Sequence, residues 1–568
     1  MPTDFNYLVG GEAGQGVQSV GLLLGKVFAR GGYQVFADQD YESRIRGGHN
    51  FFRVRVKDSP VAAISEQIHV LVALNQETVE LHREELSPDG AGIYDNGKSS
   101  GTPTDDWLFG IPMERLAEEK AGDKIMTNTV ALGAALAMVG YGLDTASAVL
   151  TQYFGEGKIA EGNVAAAKAG YDYTRENYRG KFRQLRPISQ TKRMFLTGND
   201  ALSLGAIAAG CKFMAAYPMT PTTSIMEYLA AKAKEYDLVM VHAEDEIAAV
   251  HMAIGASYAG TRAMTATSGG GFCLMVEGIG LAGMTETPLV IIEGQRSGPA
   301  IGLPTRTEQG DLQFVLNAHH GDFPKAVLAP ATVEDCFWSA VKAFNLADRY
   351  QIPVILLTDH HLASSYGTVE GFDLSKVAID RGLLYSDKDG EPSGYLRHRL
   401  TESGISPRAF PGLGKALVVT DSDEHDEAGH LIEDAETRHA QVDKRLRKLS
   451  SLKREIGAPP QYGAKKPDCL LMGWGSTYGA LREAVDILAP DVPVGLLHLN
   501  ELWPFPAEVV SKAIQEAKDT YVVENNATGQ LARLIRMETG KETKRILKYD
   551  GRPFTPAGIV ESVKKELG

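Results

Sequence analysis

Four short motifs in the middle of the chain decide its fold and its candidate site. The stretch at 217–221 reads YPMTP, and it is followed by EDEIAA at 244–249, TSGGG at 267–271 and GQR at 294–296. They supply a threonine turn, a carboxylate at the start of an apolar helix, a glycine turn after a strand and an arginine at a strand end. Because α/β sheets bind their ligands at the carboxyl ends of the strands, the motifs indicate a binding site.

Apolar strands and helices alternate around these motifs. The pattern predicts strands at 238–242, 288–293, 325–329 and 353–358, and helices at 247–258 and 333–349. Such alternation is typical of a doubly wound α/β sheet.

The 568 residues are enough for about three or four domains, and the fold class that we predict is multidomain α/β. At the N-terminus a strand at 7–10 runs through a glycine turn into a helix at 17–29, which predicts a parallel α/β unit. We expect a first domain over 1–186, a second over 187–380, a linker over 381–411 and a third, smaller α/β domain over 412–568.

The composition excludes several classes of function. A net charge of −14, with no Lys/Arg stripe carrying interleaved aromatics, disfavours nucleic acid as a partner. The first residues lack the basic and apolar regions of a signal peptide. The longest apolar stretch, 130–149, is broken by glycines and Asp144, and we therefore expect no membrane span.

The four cysteines, Cys211, Cys273, Cys336 and Cys469, contain no C-x-x-C pair and lie in apolar surroundings. We expect buried, reduced thiols in a cytoplasmic protein. This chain alone cannot hold a conventional four-cysteine iron–sulfur cluster, and it offers no metal site that we can identify.

The charge-dense stretch at 421–454 is acidic in its first half and basic in its second. We interpret it as a solvated helical excursion or a partner contact. His425 and His430 in this stretch match no standard zinc spacing, and we expect both to be exposed to solvent.

Glu246 is the strongest candidate for a catalytic residue. It opens an otherwise apolar helix, where a buried carboxylate needs a partner. Thiamine diphosphate chemistry requires such a group, because a carboxyl at the aminopyrimidine ring favours its imino form, which then takes the thiazolium C2 proton. The alternative is an acid favoured only by the helix dipole. We expect the neighbouring Glu244 and Asp245 to face solvent.

Two further side chains are candidates for substrate binding. Arg296 ends a buried strand and has the geometry to pair with a substrate carboxylate, although a surface arginine is the alternative. Thr220 lies in the proline-bracketed turn, where its hydroxyl would reach the same carboxylate or serve only the turn.

A second candidate site lies near the N-terminus. Gly14, Gln15 and Gly16 follow a strand and precede a helix, which allows close approach of a phosphate to the helix end. Asp38 follows at the spacing of dinucleotide sites. The alternatives are a packing turn, a phosphate-bearing ligand other than NAD, and NAD. Arg44 and Arg46 precede a double glycine and suit phosphates, or form a solvated turn.

Across its whole length the chain resembles the alpha subunit of the 2-oxoacid:ferredoxin oxidoreductases, in the form with a gamma-type domain fused at the N-terminus. The motifs that carry the resemblance lie at 11–17, 46–48, 217–221, 244–247, 263–271, 304–307, 422–430, 475–479 and 549–553. The resemblance implies a gamma-type domain, a pyrimidine-binding domain of a thiamine enzyme and a transketolase C-terminal-like domain.

The resemblance also implies an activity and the roles of residues. The activity is oxidative decarboxylation of a 2-oxoacid with coenzyme A, which yields an acyl-CoA, CO2 and reduced ferredoxin. Glu246 would meet the aminopyrimidine of thiamine diphosphate, and Thr220 and Arg296 would meet the substrate. Gly14, Gln15, Gly16, Arg44 and Arg46 become candidates for the coenzyme A site.

The chain departs from a complete enzyme of this kind. It has no G-D-G motif followed by an Asn at the spacing of a diphosphate–magnesium site, and no cysteine cluster. In the family both belong to a beta subunit, which implies that Mg²⁺ and a 4Fe-4S cluster reside there and that the assembly is an alpha2-beta2 heterotetramer.

The fused arrangement and the stretch GLPTR at 302–306 resemble forms that act on 2-oxoglutarate, whose second carboxylate Arg306 or His242 would meet. Pyruvate and branched-chain 2-oxoacids are the alternatives. The other classes are a self-sufficient thiamine enzyme and a nucleotide-binding regulatory protein.

Overall fold

The computed structural model describes residues 3–42, 48–97, 106–180, 183–189, 193–386 and 394–567. The chain forms two compact units. The first contains residues 1–196, 364–372 and 555–557, and the second contains residues 197–363, 373–554 and 558–568.

The helices and strands up to residue 197 are, in chain order, β1 (Asp4–Glu12), α1 (Val17–Arg30), β2 (Gln34–Asp40), β3 (His49–Lys57), β4 (Ile68–Ala73), α2 (Gln76–His82), β5 (Leu86–Asp95), β6 (Leu108–Ile111), α3 (Met113–Ala121), α4 (Thr127–Met138), α5 (Leu143–Phe154), α6 (Lys158–Asn177) and β7 (Met194–Thr197).

Those of the middle of the chain are α7 (Gly198–Ala208), β8 (Phe213–Ala216), α8 (Thr223–Lys232), β9 (Val239–His242), α9 (Glu246–Tyr258), β10 (Ala263–Thr267), α10 (Gly269–Met284), β11 (Leu289–Gln295), α11 (Leu312–Asn317), β12 (Ala326–Leu328), α12 (Val333–Tyr350), β13 (Pro353–Asp359), α13 (His360–Ser364) and β14 (Tyr366–Val369).

The remaining elements are α14 (Ala435–Glu455), β15 (Gln461–Gly463), β16 (Cys469–Trp474), α15 (Tyr478–Leu488), β17 (Val494–Leu499), β18 (Glu501–Trp503), α16 (Ala507–Glu516), β19 (Asp519–Glu524), α17 (Gln530–Thr539), β20 (Lys544–Leu547) and α18 (Pro556–Leu567).

The first unit is built on an eight-stranded sheet with the order β6-β5-β4-β1-β3-β2-β14-β7. The predicted β1-α1-β2 unit is parallel, but its two strands are not neighbours, because β3 lies between them and is antiparallel to both. The connection from β2 to β3 spans only residues 41–48. A parallel return needs a crossover of about a dozen residues or more, and so this short connection allows only an antiparallel neighbour.

The second unit carries the predicted doubly wound sheet, in the order β18-β12-β13-β11-β10-β8-β9. All its strand pairs are parallel except that of β12 with β18. From β8 the chain runs first to β9 on one side and then to β10 on the other, and so the strand order reverses around β8. A five-stranded sheet, β15-β17-β16-β19-β20, completes this unit.

The segment expected to be a linker is held by ion pairs in the second unit. Asp348 on α12 forms ion pairs with Arg262, Arg381 and Arg408, whose nitrogens lie 2.8, 2.8 and 2.6 Å from its carboxylate oxygens. Arg381 and Arg408 belong to the 381–411 segment, and these two residues of it are thereby fixed to α12. Buried ion pairs of this kind require each charge to be compensated.

The charge-dense stretch is not a solvated excursion, because the inner face of α14 is buried. Lys444 and Lys448 are inaccessible to solvent, and both contact the equally buried carboxylate of Glu286. His425 is also fully buried, contrary to our expectation, and its Nδ1 lies 3.0 Å from the Asp423 carbonyl oxygen. His430 is exposed as expected.

The cysteines are buried at 211, 336 and 469, but Cys273 is exposed, which corrects the expectation of four buried thiols. Among the described residues, no cluster of His, Cys, Asp or Glu is suited to a metal ion. In the same residues, no helix is both long and apolar enough to cross a membrane.

Candidate active site

The four central motifs follow the ends of four parallel strands of the second unit. Tyr217–Pro221 follows β8, Glu246 follows β9, Ser268–Gly271 follows β10 and Arg296 follows β11. These strands are neighbours in the sheet, and so the motifs meet at one edge, where the strand order reverses. Sheets of this class bind ligands at that point.

Glu246 is the first residue of α9 and is buried, with 4% of its surface exposed. Asp245 caps the helix by accepting a hydrogen bond from the Ala248 amide at 2.7 Å, and Asp245 and Glu244 are exposed as expected. Within the described part of the chain, Oε1 of Glu246 has no hydrogen-bond partner. Buried polar atoms are rarely left unpaired, and this oxygen is therefore a candidate acceptor for a hydrogen bond from a bound group.

The glycines predicted to form a turn are the first turn of helix α10, Gly269–Gly271, and this turn leaves room for the Glu246 carboxyl. A Cβ at Gly271 would lie 2.4 Å from Glu246 Oε1 and 2.1 Å from Thr267 Oγ1. The hydroxyl of Ser268, which precedes the turn, is buried and lacks a partner among the described residues. A buried acid with an open acceptor beside a side-chain-free turn fits a flat, hydrogen-bonding ring such as an aminopyrimidine.

We expect Gly271→Ala to reduce kcat of the assembled enzyme by ~10²-fold, because the added methyl group displaces the Glu246 carboxyl by about an ångström. Gly280→Ala in the same helix is the matched control, since a Cβ there meets nothing within 4 Å. Steady-state assays at saturating thiamine diphosphate measure the effect. Full activity of the Gly271→Ala variant would contradict this placement of Glu246.

Arg296 stabilises the turn that contains Thr220 through a hydrogen bond. Its Nη1 donates to the Thr220 carbonyl oxygen at 3.0 Å, and Asn199 Nδ2 donates to the Pro221 carbonyl oxygen at 2.8 Å. Partial burial lowers the pKa of the Arg296 guanidinium. Thr220 and Arg296 are thus in contact through the Thr220 backbone, and their part in binding a substrate stays a prediction.

The structure brings Arg306 to the same region. Arg296 and Arg306 both act electrostatically on His360, the buried residue that follows β13. Burial first, and then His361 and these two arginines, lower the pKa of His360 to about 4, and the imidazole is therefore neutral at pH 7. His360 was not among the predicted site residues, and its one sequence signal is its position two residues after the predicted strand at 353–358. His242 is exposed, with its ring 6.2 Å from that of Tyr217.

The Gly14 turn lies in the first unit and needs its glycines. Gly14 and Gly16 have φ angles of 90° and 79°, and a Cβ on Gly16 would lie 1.8 Å from Asn128 Nδ2. Gln15 folds back so that its Oε1 accepts from the Glu12 amide at 2.8 Å. The turn borders a cavity of about 430 Å³ whose lining includes Glu12, Asp40 and Glu42.

The structure argues against a dinucleotide site at this turn, because the acidic residue that such a site needs is already paired. Asp38 is buried in β2 and pairs with Arg53 through two hydrogen bonds of 2.9 and 2.6 Å. Its carboxylate is therefore already engaged and is not offered to a ribose. Arg44 and Arg46, the predicted phosphate ligands, lie outside the described residues.

Three family models match the chain. Pyruvate ferredoxin/flavodoxin oxidoreductase matches residues 6–173, and the thiamine diphosphate-binding model of pyruvate flavodoxin/ferredoxin oxidoreductase matches residues 204–444. Core domain II of pyruvate:ferredoxin oxidoreductase matches residues 467–559. The candidate site at the sheet edge lies within the thiamine diphosphate-binding match.

The 2-oxoacid:ferredoxin oxidoreductase subunit alpha of Sulfolobus sp is 34% identical, and the alignment covers 99% of this chain and 97% of that protein. The 2-oxoglutarate synthase subunit KorA of Methanothermobacter thermautotrophicus is also 34% identical, over 66% of this chain and 99% of its own length. The structure of 2-oxoglutarate:ferredoxin oxidoreductase from Magnetococcus marinus, with 2-oxoglutarate, coenzyme A and succinyl-CoA bound, superposes with a TM-score of 0.92 at 34% identity and covers both chains fully.

The fold and the site therefore define an α/β oxidoreductase chain with a thiamine diphosphate-binding domain. The chain belongs to the family of alpha subunits of the 2-oxoacid:ferredoxin oxidoreductases, which confirms the resemblance seen in its motifs.

Proposed function

We propose that this chain is the alpha subunit of an enzyme that converts 2-oxoglutarate and coenzyme A into succinyl-CoA and CO2 and reduces ferredoxin. The observation that carries the proposal is the buried Oε1 of Glu246, which has no hydrogen-bond partner among the residues that the structure describes, at the sheet edge where Arg296 also lies. The Magnetococcus marinus enzyme, named for the same substrate, supports it across the whole chain.

Glu246 would hold the aminopyrimidine of thiamine diphosphate through Oε1. When bound, the cofactor supplies a carbon nucleophile for the 2-oxo group and an electron sink for the loss of CO2. The part of Glu246 is to share a proton with the ring nitrogen, a task suited to a carboxyl that is shielded from water. Asp245 supports this by capping α9 and thereby fixing the first helical turn.

Thr220 and Arg296 would orient the substrate carboxylate next to the 2-oxo group. Arg306 would meet the distal carboxylate that distinguishes 2-oxoglutarate from pyruvate. Since the His360 imidazole is neutral at pH 7, it adds no third positive charge to those of Arg296 and Arg306. Two cations for a substrate with two carboxylates favour 2-oxoglutarate.

The surface around Glu246 has the apolar character expected of an interface with a partner chain. Ile247 and Met252 on α9 and Leu274 on α10 expose 49%, 43% and 49% of their surfaces, and Val239 on the edge strand β9 exposes 56%. Exposed apolar side chains beside a catalytic carboxyl mark an interface. The occupant would be a beta subunit that carries the Mg²⁺–diphosphate site and the 4Fe-4S cluster, in a cytoplasmic alpha2-beta2 heterotetramer that passes electrons to ferredoxin.

The first unit would serve coenzyme A. Gly14, Gln15 and Gly16 would line its site, and Arg44 and Arg46 stay candidates for binding its phosphates. The division into domains at 1–186, 187–380 and 412–568 stays part of the proposal.

The substrate assignment is tested with Arg306→Met in the assembled enzyme. We expect kcat/KM for 2-oxoglutarate to fall by ~10²-fold, because one charged hydrogen-bonding partner of the distal carboxylate is lost, whereas pyruvate turnover changes less than threefold. Arg381→Met, at an arginine that pairs with Asp348, is the matched control and should leave this ratio unchanged. An equal loss on both substrates would contradict the assignment of Arg306 to the distal carboxylate. If the wild-type enzyme turned over pyruvate faster than 2-oxoglutarate, pyruvate would be the substrate.

A further inference from the structure

A second group of acids lies next to the glycine turn that accommodates Glu246. Glu293 is fully buried on β11 and pairs in register with Thr267 of β10. The Asp311 side chain does not cap its own helix, α11, and instead lies at the turn, where Oδ2 is 2.6 Å from the position of a Cβ on Gly269. The turn is thus contacted by Asp311 at Gly269 and by Glu246 at Gly271.

The hydrogen bonding of Glu293 indicates that its carboxyl is protonated. Neither of its carboxylate oxygens receives a hydrogen bond from a donor in the described part of the chain. Asp311 lies within hydrogen-bonding reach of Glu293. Two ionised carboxylates cannot bond to each other, but a protonated one donates to an ionised one, as in other buried acid pairs.

We propose that Glu293 and Asp311 share one proton and that this pair fixes the Gly269–Gly271 turn, which makes Glu293 a positioning residue for Glu246. The inference rests on the proposed role of Glu246 in thiamine chemistry. Glu293 is fully buried, and the role proposed for it is to hold the turn rather than to react.

The surroundings favour this single proton. Burial raises the pKa of Glu293 well above its ordinary value, and the groups that act on it from α10, β13 and the start of α11 are Cys273, Asp359 and Asp311, all of them acids. Burial also raises the pKa of Asp311, while the hydrogen bond from Glu293 opposes this. The charge that the pair retains lies on Asp311 at the N-terminus of α10, where the helix dipole stabilises it.

The test compares Glu293→Gln and Glu293→Ala in the full chain, alone and in the assembled enzyme. Infrared spectroscopy should show a protonated carboxyl band in the wild-type chain at pH 7.5 that both variants lack. Glu277→Gln, at an exposed acid on α10, is the matched control and should keep the band. A wild-type chain without the band would overturn the shared proton.

The pH dependence of stability gives a second readout that does not need activity. An acid with a raised pKa contributes stability that is present at low pH and is lost as the pH rises through its folded-state pKa. The wild-type Tm should therefore fall more between pH 6 and pH 9 than the Tm of Glu293→Gln. Equal slopes would count against the pair.

The positioning role is judged in the assembled enzyme. Glu293→Ala should lower kcat by ~10²-fold, since the turn beside Glu246 shifts, whereas Glu293→Gln, which still donates to Asp311, should recover most of this loss. Equal activity of the two variants would overturn the role in positioning. If wild-type enzyme fails to act on 2-oxoglutarate, the proposed function fails, while the infrared and Tm results still decide the acid pair.

Discussion

The Glu246→Gln variant of the assembled enzyme is expected to lose about 10³-fold in kcat, the scale of a lost acid–base group. The amide has nearly the same shape but cannot share a proton with the aminopyrimidine, and so thiamine diphosphate should still bind with an affinity within about tenfold. Rapid-quench assay of CO2 release from 2-oxoglutarate measures the chemical step directly.

Glu244→Gln is the matched control for this variant. It lies two residues away in sequence, is exposed and should retain wild-type kcat. If Glu246→Gln kept most of its activity, the carboxyl would be a helix-terminal acid and the assignment of the site would be wrong.

The Glu286→Gln variant is expected to lose about 3–5 kcal/mol of stability, because it leaves buried positive charges without compensation. Glu286, Lys444, Lys448 and His398 expose at most 1% of their side chains, and His398 Nδ1 lies 3.1 Å from Glu286 Oε1. Thermal unfolding of the full chain at pH 7 measures the loss, with Glu277→Gln as the exposed control at a cost of about 0–1 kcal/mol.

The stability that Glu286 contributes should depend on pH, and its lowered pKa sets the direction of that dependence. Although burial opposes it, the charges of Lys444 and Lys448 hold the pKa of Glu286 well below its ordinary value. A depressed carboxyl pKa contributes stability that is full above the ordinary pKa and is lost as the pH falls through the folded-state pKa. Acidification below pH 4.5 should therefore narrow the Tm gap between wild type and variant. A gap that does not change with pH would contradict the ion-pair account.

The place of Glu246 and Arg296 in the fold could be predicted from the sequence, because both adjoin strongly patterned elements. The predicted helix begins at 247 and the predicted strand ends at 293, whereas α9 begins at Glu246 and β11 ends at Gln295, directly before Arg296. The order of motifs along the chain then implied that they share one sheet edge. His360 was missed because a histidine after a buried strand carries no motif of its own.

The charged core could not be predicted in the same way. Glu286 and Lys444 are 158 residues apart, and a helix as charged as α14 has the pattern of a solvated one until its partner is known. The direction of β3 depends on which strands flank it rather than on its own residues. Strand β14 has only four residues, which are too few to reveal an alternating apolar pattern. It belongs to the first unit although it comes from the middle of the chain, and its place was therefore not predictable from the sequence.

The measurement that tests the central claim most directly is the purification of this chain from its native host, followed by assay of what accompanies it. We predict a smaller iron–sulfur subunit in the complex, and dye reduction that requires both 2-oxoglutarate and coenzyme A and runs faster than with pyruvate. A chain that purifies alone, without iron, and that performs or supports no such reaction when a beta subunit is added would contradict the account.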